Sequence, residues 1–113
     1  MLENQNLVVI LIIIANVLFS MKGFDNYYFF EMYKFQINKI LSGEKIRMIS
    51  SGFLHADWVH LGFNMYALYL FGDIVSKILG APNFLIIYFG SLLAGSLYTL
   101  YYHKSEPYYS AIG

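Results

Sequence analysis

The sequence predicts an all-α membrane protein, with three transmembrane helices and a helical first loop lying at the bilayer interface. Three observations carry this reading. Of the 113 residues, 58% are hydrophobic and 12% charged, against roughly 25% charged in an ordinary soluble domain, so most of the surface has to face something apolar. The charges are also segregated: none falls between Leu7 and Phe19, and none between Ala81 and Tyr102. Many of the 11 Tyr and 10 Phe fall where a hydrophobic segment would meet lipid headgroups, the zone that amphipathic rings favour.

The first span, expected over about residues 6–22, is built on LVVILIIIANVLFSM, Leu7 to Met21. This is close to the minimum for a bilayer core, which takes roughly 17–25 residues. A cleavable signal would open with a positive region, whereas MLENQN holds Glu3 and no Lys or Arg, so a retained helix is expected. The first loop, 23–54, mixes aromatics and charges and has no run of spanning length. Phe29, Tyr33, Ile37 and Ile40 follow a rough helical period while Glu31, Lys34 and Lys39 lie mostly on other faces. Such a segment can lie in the interface with its rings buried and its charges wet; an ordinary extramembrane loop with one packed helix is the other reading.

The second span, about 56–79, ends at Gly80, Ala81 and Pro82, because Gly caps a helix cheaply and Pro cannot continue one. The third, about 83–102, spaces small residues four apart, Gly90 with Ala94 and Ser91 with Gly95, which lets helix backbones approach closely in lipid. A polar turn and a small, apolar tail follow, HKSEPYYSAIG.

Composition also excludes function classes. Net charge is zero and there is no basic arm or aromatic–basic stripe, so no nucleic-acid partner is indicated. With no cysteine, disulfides, thiolate catalysis and cysteine metal sites are removed.

Three polar residues stand out around the second span: His55, His60 and Asn64. His60 and Asn64 are four apart and share one helix face, with Ala67 and, further round, Gly72 leaving room for a neighbour. Polar side chains at such depth are costly and mark functional sites. Both side chains can donate hydrogen bonds, and two converging donors in a low-dielectric pocket are what the oxyanion of a tetrahedral acyl intermediate needs. The pair is a poor metal site, since an amide is a weak ligand for the metals imidazole favours. On spacing alone, His-x-x-x-Asn could equally hold two helices together by hydrogen bonds.

Taken together, Arg47, His55, His60, Asn64 and Gly72, in the stretch RMISSGFLHADWVHLGFNMYALYLFG, resemble the first loop and second helix of the rhomboid protease family. That pattern is a loop Arg, a His, a second His five residues on, an Asn four further, and a Gly near the middle of the same helix. The resemblance implies a six-helix core in which a Ser–His dyad cuts transmembrane segments of other proteins. It makes residues 1–113 the N-terminal part of a single rhomboid-like membrane domain, a partial bundle. It also assigns roles: His60 and Asn64 oxyanion-stabilising, His55 a supporting hydrogen-bonder, Arg47 the arginine that orders the first loop, Gly72 a close-packing position. Gly113 stands where the first Gly of the family's G-x-S-G motif would come, so neither the nucleophile Ser nor the base His is in this chain.

Ser110 has no flanking Gly pair and no later His, and His103 reads as an interfacial surface histidine; neither is taken as a substitute. Two positions depart from the family. Ile46 stands where Trp often precedes the loop Arg. Ser76 stands where an acidic residue often follows the helical Gly, which removes a helix–helix hydrogen bond or replaces it with a weaker hydroxyl one. The family's common orientation puts the N-terminus in the cytoplasm, although Lys22, Lys34, Lys39, Lys45 and Arg47 around the first loop would by the positive-inside rule invert the chain.

The expectation is therefore an intramembrane serine endopeptidase of rhomboid type, with this chain alone inactive. No metal or organic cofactor is implied. The expected setting is a multi-pass position in a bacterial inner (plasma) membrane, and the partners are the lipid bilayer, transmembrane protein substrates and the rest of its own domain. The rival readings are a catalytically inactive rhomboid-like protein that holds client helices, and a small metal-binding membrane protein using His55, His60 and His103, which their spacing disfavours.

Overall fold

The computed structural model describes residues 4–112, with side chains from residue 7 onward. In chain order it contains α1 (Asn4–Asp25), α2 (Tyr27–Tyr33), β1 (Phe35–Gln36), α3 (Ile37–Leu41), α4 (Arg47–Ser50), a 3-10 turn (Ser51–Phe53), α5 (Trp58–Leu79), α6 (Ala81–Tyr102) and β2 (Ser110–Ala111). The three long helices have 22 residues each, about 33 Å at 1.5 Å per residue, which matches a hydrocarbon core of about 30 Å. The Leu7–Asp25 part of α1 and the whole of α6 are apolar and long enough to cross a membrane. α5 is as long but falls short in hydropathy, because it carries His60, Asn64, Asp73 and Lys77.

α5 and α6 are joined by a single residue. Gly80 adopts φ +88°, a backbone conformation that a side chain would strain, and Pro82 sits in the first turn of α6. Pro is suited there because its missing N–H would have no helical partner in any case. α1 packs along α5. A Cβ built on the buried Gly72 would meet Val9 Cγ1 at 2.9 Å and Phe84 Cε1 at 3.2 Å, so at this glycine α1, α5 and α6 come into close contact. Two buried polar side chains of α1 bind it to its neighbours: Asn16 Nδ2 donates to Tyr88 Oη at 3.0 Å, and Ser20 reaches the segment that leads into α5. Ser76, fully buried, donates to Asp73 O in its own helix at 3.2 Å and makes no bond across to another helix among the described residues.

The first loop is helical, as expected, but not as one helix. The apparent period through Phe29, Tyr33, Ile37 and Ile40 is broken at Lys34–Gln36, where the chain turns extended. Its two halves serve different clusters. Phe29 and Tyr33 pack edge-on against Phe19 of α1, with ring centroids 4.8 and 5.5 Å away. Ile37 and Ile40 join Phe35 and Met48 in a buried core covered by Leu100, Tyr109 and Ala111. Ile46 is exposed and lines an open apolar pocket of about 390 Å³ with Phe19, Phe29, Tyr33 and Phe53.

A feature absent from the sequence reading is a small antiparallel pairing of β1 with β2, Phe35 opposite Ala111 and Gln36 opposite Ser110. Beyond it, Ile37 N donates to Tyr109 O and Asn38 N to Pro107 O. The end of the described chain is thereby stitched to the first loop. Elsewhere large apolar residues lie open: Val59, Phe63, Tyr66 and Leu70 on one side of α5, and the Gly90 and Gly95 positions of α6, which have no described residue within 4 Å of where a side chain would begin. Ser91 and Gly95 line an open cleft with Phe35, Ser51 and Gly52, so this pair faces the first loop without close contact.

Two outcomes follow from this packing. Gly72→Val should destabilise the bundle by about 1–3 kcal/mol, the usual cost of overpacking, read from unfolding in mixed detergent micelles. In this cysteine-free chain, Gln36→Cys with Ser110→Cys should cross-link readily, since facing residues of an antiparallel pair lie within about 4.5–5.5 Å and a disulfide spans that distance. Gln36→Cys with Tyr108→Cys should not.

Candidate active site

The site is assembled at the N-terminal end of α5. Asp57 is extended at φ −157°, and its carboxylate accepts the His60 backbone N–H at 2.8 Å, satisfying one of the donors that a helix start leaves open. With the start of α5 set there, His60 lies in its first turn and Asn64 one turn further, both half-buried. Asn64 Nδ2 donates to His60 O at 2.8 Å, which pins the amide to its helix and leaves one of its two N–H groups free to donate elsewhere. The positive end of the helix dipole also favours negative charge here.

His55 lies just before α5 and is buried at 3% exposure. Its ring meets that of His60 edge-on, with centroids 5.3 Å apart and planes at 86°. Its Nδ1 lies 2.9 Å from Ser20 Oγ, while the Ser20 hydroxyl donates to Phe53 O at 2.7 Å. Burial, and secondarily the neighbouring His60, push the His55 pKa below its ordinary value of 6.5, with the Phe53 backbone opposing. The imidazole is held neutral, as charge in an apolar setting is penalised.

Arg47 is buried and acts on the loop, not on the histidines. One guanidinium nitrogen donates to Glu31 O at 2.8 Å and to Lys34 O at 2.9 Å, and Nε pairs with Glu44 at 3.0 Å. Gly72 sits at the three-helix contact described above. His103 is elsewhere, at the end of α6, stacked on Tyr109 at 3.6 Å and paired with Glu106. Ser110 is exposed in β2, with its hydroxyl turned to Tyr108 O. Gly113 lies outside the described residues. The structure thus sets the His55 ring against that of His60 with Asn64 one turn further along α5, leaves Arg47 and Gly72 in the framework, adds Ser20 beside His55 and bonds Asn16 to α6. Those two were legible by the same rule that singled out His60 and Asn64, being polar and four apart in an otherwise apolar helix.

Residues 42–113 match the model of the Rhomboid domain. The chain belongs to the rhomboid family. Similar proteins include Rhomboid protein 1, mitochondrial, of Saccharomyces cerevisiae, 48% identical over 60 residues, which are 53% of this chain and 17% of that protein. RHOMBOID-like protein 12, mitochondrial, of Arabidopsis thaliana is 30% identical over 98 residues, 85% of this chain and 29% of that one. Rhomboid protease GluP of Bacillus subtilis is 35% identical over 72 residues, 64% and 14% respectively. The chain thus spans less than a third of the length of each of these relatives. No solved structure matches it. As a rhomboid the chain is an all-α membrane protein; its relatives include proteins named mitochondrial and one from Bacillus subtilis, so membership establishes the membrane but not the compartment.

The buried neutral His55 makes stability depend on pH. Its folded pKa lies below its unfolded one, so the unfolded chain takes up the proton more readily and stability rises with pH. Stability should be complete above about pH 6.5, the unperturbed value, and fall as pH drops below it. His55→Gln should flatten that acid limb in unfolding titrations at a series of pH values.

Proposed function

We propose that this chain is the electrostatic half of an intramembrane serine endopeptidase of rhomboid type, acting on transmembrane segments of membrane proteins. The observation that carries the reading is the placement of His60 and Asn64 one turn apart at the start of α5, with the His55 ring against that of His60, inside a segment that matches the Rhomboid domain. α5 is then a third membrane-embedded helix, its polar residues turned to the rest of the domain and its Phe63 and Tyr66 side open to lipid.

In this mechanism a Ser hydroxyl beyond residue 113 attacks the scissile carbonyl while a His, also beyond it, takes the proton. The carbonyl oxygen becomes an oxyanion and receives the His60 ring N–H and the free N–H of Asn64. Collapse expels the amine, which recovers the proton from the His, and water releases the acyl group by the same steps. The protein's contribution at His60 and Asn64 is preorganisation: donors fixed beforehand cost no rearrangement when the charge forms. No metal or organic cofactor enters the scheme.

The first test is the residue two positions beyond Gly113 in the gene: a residue unable to act as nucleophile there would favour a client-holding protein that does not cut. In the full-length protein, a serine-directed covalent probe should label. Asn64→Ala should fold and lose roughly 10²–10³ in turnover, as for removal of one oxyanion donor. Turnover at the wild-type rate would remove Asn64 from the role.

A further inference from the structure

Ser20 does more than tie α1 to the loop. Its side chain is fully buried, and its oxygen lies 2.7 Å from Phe53 O and 2.9 Å from His55 Nδ1. A serine hydroxyl has one hydrogen, and a carbonyl can only accept. If that hydrogen pointed at His55, two oxygens would face each other at 2.7 Å with no proton between them, and a carbonyl in the protein interior would lose its side-chain donor, a costly omission. The hydrogen therefore lies on the Phe53 contact. The second contact must take its proton from the ring, with Nδ1–H donating to Ser20 Oγ. A neutral imidazole has one N–H, so Nε2 keeps its lone pair, and it has no hydrogen-bond partner among the described residues.

The His60 ring stands edge-on to this fixed ring. A ring flip of His55 would present a C–H to Ser20 and change the surface that His60 packs against. We propose that Ser20 is a positioning residue, locking His55 as the Nδ1–H tautomer and, through the His55 ring, holding His60 in the orientation that offers its N–H to the oxyanion. This rests on the reading of His60 and Asn64 as oxyanion donors. It gives α1, which contributes no group to the chemistry, a determining part in the geometry of α5.

The test is nitrogen-15 NMR of ring-labelled histidine in the full-length protein in bilayers, at a pH where histidines are neutral. The His55 signal is identified by its loss in His55→Gln. The expected result is a protonated Nδ1 and a bare Nε2. Ser20→Ala should lose the single tautomer and lower kcat about tenfold with KM unchanged, a milder loss than the roughly hundredfold that a 1 Å misplacement of a reacting group can cause. Ser20→Thr, which keeps the hydroxyl, should restore both. A bare Nδ1 in the wild type overturns the proposal without reference to activity. Wild-type kcat in Ser20→Ala overturns its functional half. Wild-type turnover in Asn64→Ala would overturn the oxyanion reading and leave the tautomer assignment to be decided by the spectrum alone.

Discussion

Backbone carbonyls in loops and in the last turns of short helices need donors, and in an apolar environment water does not supply them. The first loop of this chain meets that constraint with side chains. Arg47 donates to Glu31 O and Lys34 O, Ser50 to Tyr33 O, Ser20 to Phe53 O and Ser96 to Met48 O. Arg47 can serve because a guanidinium carries five donors in a rigid fork. With these bonds made, the loop can leave α1, fold back in short helical pieces and enter α5 at a fixed point. That entry point, capped by Asp57, determines which face of α5 carries His60 and Asn64. The placement of the site thus depends on how the loop's carbonyls are satisfied.

The same dependence explains what could and could not be read from the sequence. The boundary at Gly80–Pro82 was legible because a helix stop is local: it rests on a backbone conformation that glycine tolerates and a hydrogen that proline lacks. The shared face of His60 and Asn64 was legible because four residues make about one helical turn. The pairing of Gln36 with Ser110 was not, since two-residue strands have no periodicity and the partners lie far apart in the chain. Phe29, Tyr33, Ile37 and Ile40 misled as one stripe because apolar spacing does not reveal whether a cluster belongs to α1 or to the α6 side of the loop. Ser20 is the instructive case. Its polarity inside an apolar run was visible, but its partner depends on where a loop 33 residues later returns.

The departures from the family's sequence also acquire physical content. Ser76 lies at the place where an acidic side chain would be buried, and its hydroxyl turns back to its own helix. The contact of α5 with its neighbours there is consequently one of shape, set by Gly72 against Val9 and Phe84. Ile46 is exposed and lines an open apolar pocket with Phe29 and Tyr33, while Arg47 beside it is buried and bonded to the loop backbone.

The arrangement has a cost that can be located. Burying His55 disfavours its charged form, and burying Ser20 and Asn16 in α1 requires partners for each. An apolar substitution at these points would remove those penalties, and replacing buried polar groups by packed hydrophobes is often neutral or stabilising. A purely structural account gives no reason for a buried serine and a buried histidine to be bonded to each other against the His60 ring. A catalytic account does, because an oxyanion donor must be aligned before charge develops, and directional hydrogen bonds hold an angle that dispersion contacts leave loose. On the proposed oxyanion reading, the Ser20 hydroxyl is an orienting group, maintained against the preference of the surrounding medium.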